Sequence, residues 1–92
     1  MPFAVKFEVT LQESTPEEAQ KMLDEAVVPM AKAQAGFMTG VWMRKVSSPS
    51  EGVGVVVFDS EQQAKDASDA LRPPPGGPEV RSVDIYEVGA VA

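Results

Sequence analysis

The sequence predicts an α+β fold in which a four-stranded antiparallel sheet carries two helices on one face. Three patterns predict it: an alternating strand at the start, two capped helical segments, and an apolar run between them. Two consecutive strand-helix-strand units, in the order β-α-β-β-α-β, form the ferredoxin-like topology. In this topology the first and third strands are central. The chain has 92 residues, so we expect residues 1–92 to form a single domain.

The first half of the chain gives a strand followed by a helix. Residues 3–11 alternate between apolar and polar side chains, as in a strand with one buried face. Thr15, Pro16 and Glu18 are typical of a capping box with proline at the first helical position. We expect Pro29 to disturb the helix and Gly36 to close it. The predicted core stripe of this helix consists of Ala19, Met22, Leu23, Ala26, Val27 and Met30.

The second half gives two strands, a helix and a last strand. Residues 37–46 read as strand two, the segment SSPSEG as a turn, and residues 53–58 as strand three. Asp59 and Ser60 are candidate caps of the second helix. Its stripe of small side chains contains Ala64, Ala67, Ala70 and Leu71. The segment RPPPGGP cannot continue a helix and is predicted to be a loop, after which residues 80–88 form the last strand.

The composition excludes several functional classes. The net charge is −6, which disfavours nucleic acid and anionic membrane surfaces as partners. The chain lacks cysteine, histidine and asparagine. Disulfides, thiolate metal sites and histidine-based catalysis or ligation are therefore excluded, and we expect neither a metal nor another cofactor. No apolar run is long enough for a membrane span, so we expect a cytoplasmic protein.

The face of the sheet without helices is predicted to need a cover. Strand three is apolar on both sides, so Val53, Val55 and Val57 or their neighbours would be exposed there. Each buried aliphatic side chain contributes about 1.5–3 kcal/mol, and an exposed apolar patch of this kind marks an interaction site. We expect a homodimer that packs sheet against sheet. The alternatives are a small ligand on this face or simple tolerance of the exposure.

Several local motifs together resemble the antibiotic-biosynthesis-monooxygenase-like family of the dimeric α+β barrel superfamily. They are Gly36-Phe37 at the start of strand two, Gly40 and Trp42 within it, Phe58-Asp59 before the second helix, and Tyr86-Glu87-Val88 at the end. The resemblance covers nearly the whole chain. It implies a dimer whose two sheets form a barrel, with a pocket between helices and sheet.

The same resemblance implies a range of activities. Some members of the family oxidise quinol-type aromatic substrates with molecular oxygen and no cofactor, others degrade haem, and many have no assigned activity. Haem-degrading members use histidine and asparagine beside a tryptophan, whereas this chain offers only Trp42. Ala35 stands where such sequences commonly have proline before the glycine-aromatic pair.

A small set of side chains could form a site. Trp42 and Arg44 are two apart on a strand and share a face, so Trp42 could stack on a planar substrate while Arg44 holds an enolate or carboxylate. The Tyr86 hydroxyl could donate a proton or a hydrogen bond to an oxyanion. Met22, Met38 and Trp42 could line an apolar ligand pocket. Each of these residues also has a structural interpretation, in the dimer interface, in a rim ion pair or in the core.

Three functional hypotheses follow. The first is a dimer that binds a small apolar or aromatic ligand without catalysis. The second is a cofactor-independent monooxygenase acting on an electron-rich aromatic of the quinol or anthrone type, with Trp42, Arg44 and Tyr86 as catalytic residues. The third is a non-catalytic assembly or regulatory module. The sequence leaves open whether the protein is an enzyme.

Overall fold

The computed structural model describes residues 1–11, 15–72 and 78–92. The elements, in chain order, are β1 (Phe3–Thr10), α1 (Pro16–Met22), a π-helical turn (Leu23–Val27), α2 (Val28–Lys32), β2 (Phe37–Lys45), β3 (Ser48–Phe58), α3 (Glu61–Ala70) and β4 (Glu79–Glu87). The segments α1, π-turn and α2 follow one another without a break, and we call residues 16–32 the first helix. Most of the predicted RPPPGGP loop lies outside the described residues.

The strands form one antiparallel sheet in the order β2-β3-β1-β4. The first and third strands are central, as the sequence predicts. Phe7 pairs with Gly54 on one side and Val83 on the other, and Gly54 in turn pairs with Trp42. Because alternate residues of a strand point to opposite faces, this register fixes which side chains share each face.

Both helices start where the sequence predicts, and for the predicted reasons. The Thr15 hydroxyl accepts a hydrogen bond from the Glu18 amide, while the Glu18 carboxylate accepts one from the Thr15 amide. The Ser60 hydroxyl accepts from the Gln63 amide at the start of α3. Side-chain caps of this kind contribute about 1 kcal/mol each. They satisfy amides that have no partner within the helix.

The first helix contains a π-turn next to Pro29. Proline has no N–H, and its ring clashes with the carbonyl four residues earlier, so it disfavours regular α-helical bonding there. Just before it, the Val28 amide donates to the Leu23 carbonyl, five residues back. Pro29 therefore disturbs the helix as predicted, but the helix accommodates it by taking in one extra residue. Such single π-turns are the usual form of the π-helix.

The π-turn also decides which side chains face the sheet. Ala19, Leu23, Val27 and Ala31 are four apart, and in a regular α-helix they would drift by about 40° per step. The extra residue cancels most of this drift. Ala31 is buried and the other three are partly buried. The predicted core stripe is therefore wrong for three of its members, which are exposed: Met22, Ala26 and Met30.

The connection between β2 and β3 differs from the prediction. The sequence places a turn in SSPSEG, whereas β3 already begins at Ser48 and continues through Pro49 and Gly52. The turn is formed by Val46 and Ser47. Proline is tolerated where a ladder ends, and the pairing of β1 with β3 stops at Glu51, two residues after Pro49. Proline, glycine and serine indicate a turn by composition. Composition does not show where the pairing of β1 with β3 stops, and this decides whether the proline fits in the strand.

The helices cover only one face of the sheet, which we call the helix face. Segment α3 packs on β1, β3 and β4, and α2 packs on β2. Phe58 is fully buried there, in an edge-to-face contact with Phe37 at 6.4 Å between ring centroids. The buried core on this face comprises Val5, Phe7, Ala31, Val56, Phe58, Ala64 and Ala67. The opposite side, the helix-free face, carries no element of the described chain.

Candidate functional site

Trp42 lies across the helix face on a floor made by two glycines. An added Cβ at Gly40 would be 2.7 Å from the indole Cη2, and one at Gly54 would be 3.0 Å from Cδ1 and 3.2 Å from Nε1. Gly40 is two residues before Trp42 on β2, and Gly54 is its partner on β3. The indole therefore occupies the volume that two side chains would otherwise fill. One ring surface rests on bare backbone.

The other features of Trp42 suit a ligand. It is the only tryptophan of the chain, and it is partly buried against the hydrophobic core. Among the residues that the structure describes, none accepts a hydrogen bond from its indole N–H. A tryptophan that packs by its ring and keeps its donor unpaired can stack on an aromatic molecule and bind an acceptor on it.

The first part of the first helix buries little surface against the sheet. Neither α1 nor the π-turn contains a buried residue; the first buried side chain of the first helix is Ala31. Met22 is 41% exposed, and Met38, at an irregularity in the β2–β3 register, is 43% exposed. Both predicted pocket methionines are thus accessible at the surface. Their flexible side chains could adapt to an apolar ligand.

Arg44 shares the Trp42 face, as its spacing predicts. It pairs with Gly52, and an added Cβ at Gly52 would contact Val9 and Leu11. Arg44 itself is exposed, so its guanidinium is available at the end of the sheet beyond the indole. The strand register thus places Arg44 on the Trp42 face, next to a register shift between Arg44 and Lys45, and Arg44 also lines a cleft beside Glu51 that does not include Trp42.

Tyr86 is placed elsewhere. It lies on β4, at the opposite edge of the sheet from β2. Tyr86 pairs with Ala4 on β1. The next residue, Val5, has its side chain in the core on the helix face, so the side chains of Ala4 and its partner Tyr86 point to the helix-free face. The side chain is 49% exposed. Within one subunit the three predicted catalytic residues do not form one constellation.

The helix-free face has an apolar half and a polar half. The apolar half lies on β2 and β3, where Val41 pairs with Val55 and Met43 pairs with Val53. Val41 is 52% exposed and Met43 50% exposed. On β1 and β4 the same face carries mainly charged and hydroxyl side chains. Of the three valines predicted to be exposed, Val53 and Val55 are partly buried and Val57 is buried, so the apolar exposure of this face comes from their neighbours Val41 and Met43.

The polar half is held by an ion-pair network. The Glu8 carboxylate accepts a 2.8 Å hydrogen bond from the Ser82 hydroxyl and lies 3.5 Å from the Lys6 ammonium. Both contacts lower the pKa of the Glu8 carboxyl, the Ser82 hydrogen bond most of all. The Ser82 hydrogen bond links β1 to β4 on the helix-free face, and the Lys6 ion pair lies within β1.

A second carboxylate, Glu51, connects the remaining strands. One of its oxygens is 3.3 Å from an Arg81 nitrogen and the other 3.5 Å from the Lys45 ammonium. A hydrogen bond from Ser48 and the charge of Lys45 lower the pKa of the Glu51 carboxyl. A cleft of about 350 Å³ opens beside this network, lined by Glu8, Met43, Arg44, Lys45, Glu51, Val53 and Arg81.

The other prominent cleft is a groove of about 530 Å³ along the polar side of the first helix, between Pro16 and Glu25. Neither cleft includes Trp42, Met22 or Met38. Among the described residues, no group of three or more acidic side chains could hold a metal ion. In residues 1–11, 15–72 and 78–92, no helix has the length and apolar character that a membrane crossing requires.

The glycine floor is the feature that sequence reasoning missed. The signal was present in two places: Gly40 stands two residues before the tryptophan, and Gly54 interrupts a strand of valines. A glycine inside a strand often marks a close approach by another group. Recognising the group as the indole requires the β2–β3 register, which pairs Trp42 with Gly54 and is not apparent from either segment alone.

Comparison with known proteins gives a clear result for the fold. No family model matches the chain, and no curated protein matches its sequence. Among solved structures, SnoaB, a cofactor-independent oxygenase from Streptomyces nogalater, is similar with a TM-score of 0.69 and 12% identity, over 98% of this chain and 95% of the other. A protein from Chloroflexus aurantiacus assigned as an antibiotic biosynthesis monooxygenase gives 0.61 and 13%, over 100% and 98%.

Rv0793 from Mycobacterium tuberculosis is also similar, with a TM-score of 0.55 and 14% identity, over 100% of this chain and 97% of the other. Each of these matches spans nearly the full length of both proteins. The chain therefore has the ferredoxin-like α+β fold of the antibiotic-biosynthesis-monooxygenase-like proteins, as its sequence motifs predict.

Proposed function

We propose that this protein is a homodimer that binds a small planar aromatic ligand on the indole of Trp42, between the first helix and the sheet. The main support for this proposal is the position of the indole against the sheet. Two glycines let it lie against the sheet, its N–H has no acceptor among the described residues, and the first helix has no buried residue before Ala31. A ligand bound there would stack on the ring and contact the first helix.

Arg44 supports an acidic or enolisable ligand. It shares the Trp42 face and is exposed, so a carboxylate, sulfonate or enolate oxygen on the ligand could pair with the guanidinium. Met22 and Met38 would adapt to the apolar body of the ligand. In this proposal Tyr86 does not contact the same ligand within one subunit, because it lies on the other face and at the other edge.

The homodimer is supported by the apolar half of the helix-free face. Val41 and Met43 are about half exposed, next to Val53 and Val55. Covering this strip with the same strip of a second copy is the simplest two-fold arrangement. Dimerisation by this face leaves the helix face, with Trp42, free for the ligand.

Binding is tested by calorimetric titration with anthraquinone-2-sulfonate, a planar fused-ring anion, against cyclohexanesulfonate, a non-planar anion of the same charge. We expect the planar compound to bind and the non-planar one to bind much more weakly or not at all. Trp42→Phe should weaken binding. Equal affinities for both compounds, or no heat with either, would refute the aromatic site.

Arg44→Gln tests the anionic contact, with Lys45→Gln as its matched control. Both variants remove one positive charge from adjacent positions of β2, so they alter the long-range field equally. If Arg44 pairs with the sulfonate, only Arg44→Gln should weaken binding. Equal effects of the two variants would instead indicate a general electrostatic attraction.

A second candidate is oxidation of such a ligand. The similarity to SnoaB, a cofactor-independent oxygenase, favours it, and the residues that would act are Trp42 and Arg44. With anthrone as substrate the balanced reaction takes one molecule of oxygen and yields anthraquinone and water. Arg44 would stabilise the enolate that reacts with oxygen.

An oxygen electrode with anthrone tests this activity directly. Trp42→Phe and Arg44→Ala should lower the rate, while Tyr86→Phe should leave it unchanged because Tyr86 is on the opposite face. A large loss in Tyr86→Phe would restore the role predicted for that residue. Binding of anthraquinone-2-sulfonate without any oxygen consumption would favour the ligand-binding function over the enzyme.

A further inference from the structure

We propose that Gly40 and Gly54 are positioning residues that hold the Trp42 ring flat on the sheet and thereby select planar, fused-ring ligands. The inference rests on the proposed function, since it concerns the ligand of the same site. It assigns a role to two residues without functional side chains. Neither would contact the ligand.

The geometry gives the two glycines complementary positions under the ring. Gly40 lies below the benzene part of the indole, because its added Cβ would meet Cη2 and Cζ3 at 2.7 and 3.0 Å. Gly54 lies below the pyrrole part, where the nearest ring atoms are Cδ1 and Nε1. Together they support both ends of the ring. A side chain at either position would lift the corresponding end away from the sheet.

Lifting the ring has a direct consequence for a ligand. Offset stacking requires nearly parallel rings. The orientation of the indole therefore sets the orientation of a ring system that binds between it and the first helix. A ring raised at one end would enter the layer between the sheet and the first helix and narrow that layer unevenly. A flat fused-ring compound would lose stacking area, whereas a compact non-planar one would not.

The backbone does not demand glycine at these positions. The only described glycine with a positive φ is Gly36, at +79°. Gly40 and Gly54 thus have strand conformations open to any residue, and alanine is not disfavoured there by backbone conformation. Steric contact with the indole is the remaining reason for glycine, and it makes Gly→Ala a test of ring orientation.

The chain supplies two matched controls. Gly52 is on β3 two residues before Gly54 and is also buried, but its added Cβ would meet Val9 and Leu11. Gly52→Ala therefore introduces the same methyl group on the same strand and face without touching Trp42. At Gly89 an added Cβ meets nothing within 4 Å, so Gly89→Ala controls for glycine replacement itself.

The first measurement follows the ring in the free protein. Because Trp42 is the only tryptophan, tryptophan fluorescence reports on it alone, and near-ultraviolet circular dichroism contains its band beside those of Tyr86 and the phenylalanines. Gly40→Ala and Gly54→Ala should change both spectra as the added methyl group displaces the ring, most strongly in Gly40→Ala, where the added Cβ would be 2.7 Å from the indole. Gly52→Ala and Gly89→Ala should match the wild type. Unchanged spectra in both test variants would overturn the inference.

The second measurement is calorimetric titration of the four variants with anthraquinone-2-sulfonate. We expect about two- to tenfold weaker binding for Gly40→Ala and Gly54→Ala, the size of a lost aromatic stack, and wild-type affinity for both controls. Changed spectra with unchanged affinity would overturn the selective role. Failure of the wild type to bind would instead refute the proposed function, and the spectra would still show whether the glycines set the ring orientation.

Discussion

The proposed dimer can be tested by introducing one charge on the helix-free face. In Val41→Asp a carboxylate replaces an apolar side chain that is 52% exposed in the single chain and lies beside Val55. The substitution is on β2, an edge strand of the sheet. It leaves the core and Trp42 unchanged, so the folded subunit should persist.

The expected rise in the dimer Kd is estimated from the exposed half of the Val41 side chain. Full burial of an aliphatic side chain contributes about 1.5–3 kcal/mol, so covering the remaining half in a dimer contributes roughly 0.8–1.5 kcal/mol. A two-fold interface contains the residue twice, which gives about 1.5–3 kcal/mol for the pair. At about 1.4 kcal/mol per factor of ten, the dimer Kd should rise at least about tenfold. Desolvation of two carboxylates adds to this.

Sedimentation velocity over a range of protein concentrations measures the effect, with circular dichroism to show that the subunit remains folded. Val46→Asp is the matched control, because Val46 is 98% exposed in the β2–β3 turn and receives the same charge. We expect dissociation of Val41→Asp at concentrations where the wild type and Val46→Asp remain dimeric. A monomeric wild type, or a Val41→Asp variant as dimeric as Val46→Asp, would show that this face does not form the dimer interface.

Two further predictions concern stability and pH, and one concerns solvation of the site. Phe58→Ala removes a ring with no exposed surface and should lower the free energy of unfolding by about 3–5 kcal/mol; a urea titration showing less than about 1 kcal/mol would contradict the core assignment. Glu51 has a pKa lowered from its ordinary 4.5, so its stabilisation is full above that pH and is lost as pH falls through the lower folded-state value. The difference in Tm between wild type and Glu51→Gln should therefore shrink in acid, and a constant difference would exclude the ion pairs as its source. Acrylamide should quench Trp42 fluorescence less once anthraquinone-2-sulfonate is bound, after correction for direct quenching by the ligand. Equal acrylamide quenching with and without the ligand would show that the ligand does not cover Trp42.

The elements of the fold could be predicted because each has a local cause. The capping box at Thr15 and the hydroxyl cap at Ser60 depend on residues within one turn of each other. The alternation of β1 is equally local. Strand order then follows from the element order, since the split arrangement places the first and third strands in the centre.

The predictions of the β2–β3 turn and of the core stripe in the first helix were wrong, because each assumed that local sequence alone determines the structure. Pro49 and Gly52 favour a turn by themselves, but Gly52 pairs with Val9 of β1, and the pairing of Ser48 with Lys45 of β2 extends the strand beyond Pro49. The predicted stripe of the first helix assumed 3.6 residues per turn throughout, and the π-turn changes the phase. Met22 and Met30 are exposed for this reason.

The candidate site was predictable only in part. Strand periodicity and the β2–β3 register both assign Trp42 and Arg44 to one face, with a register shift directly after Arg44. Strand periodicity cannot show that Tyr86 is on the other face at the far edge, because that requires the β1–β4 register. The role of Gly54 was likewise hidden, since its partner is twelve residues earlier on a neighbouring strand.

The π-turn has a consequence for chain length in the first helix. Removing one residue from Leu23–Val27 and replacing Pro29 would allow regular α-helical bonding but would rotate everything before it by about 100° relative to the sheet. Leu23 and Ala19 would then point sideways, and their places would be taken by neighbours of different size and polarity. Proteins of this fold whose corresponding helix is regular are therefore expected to be one residue shorter between the capping box and the glycine that precedes β2.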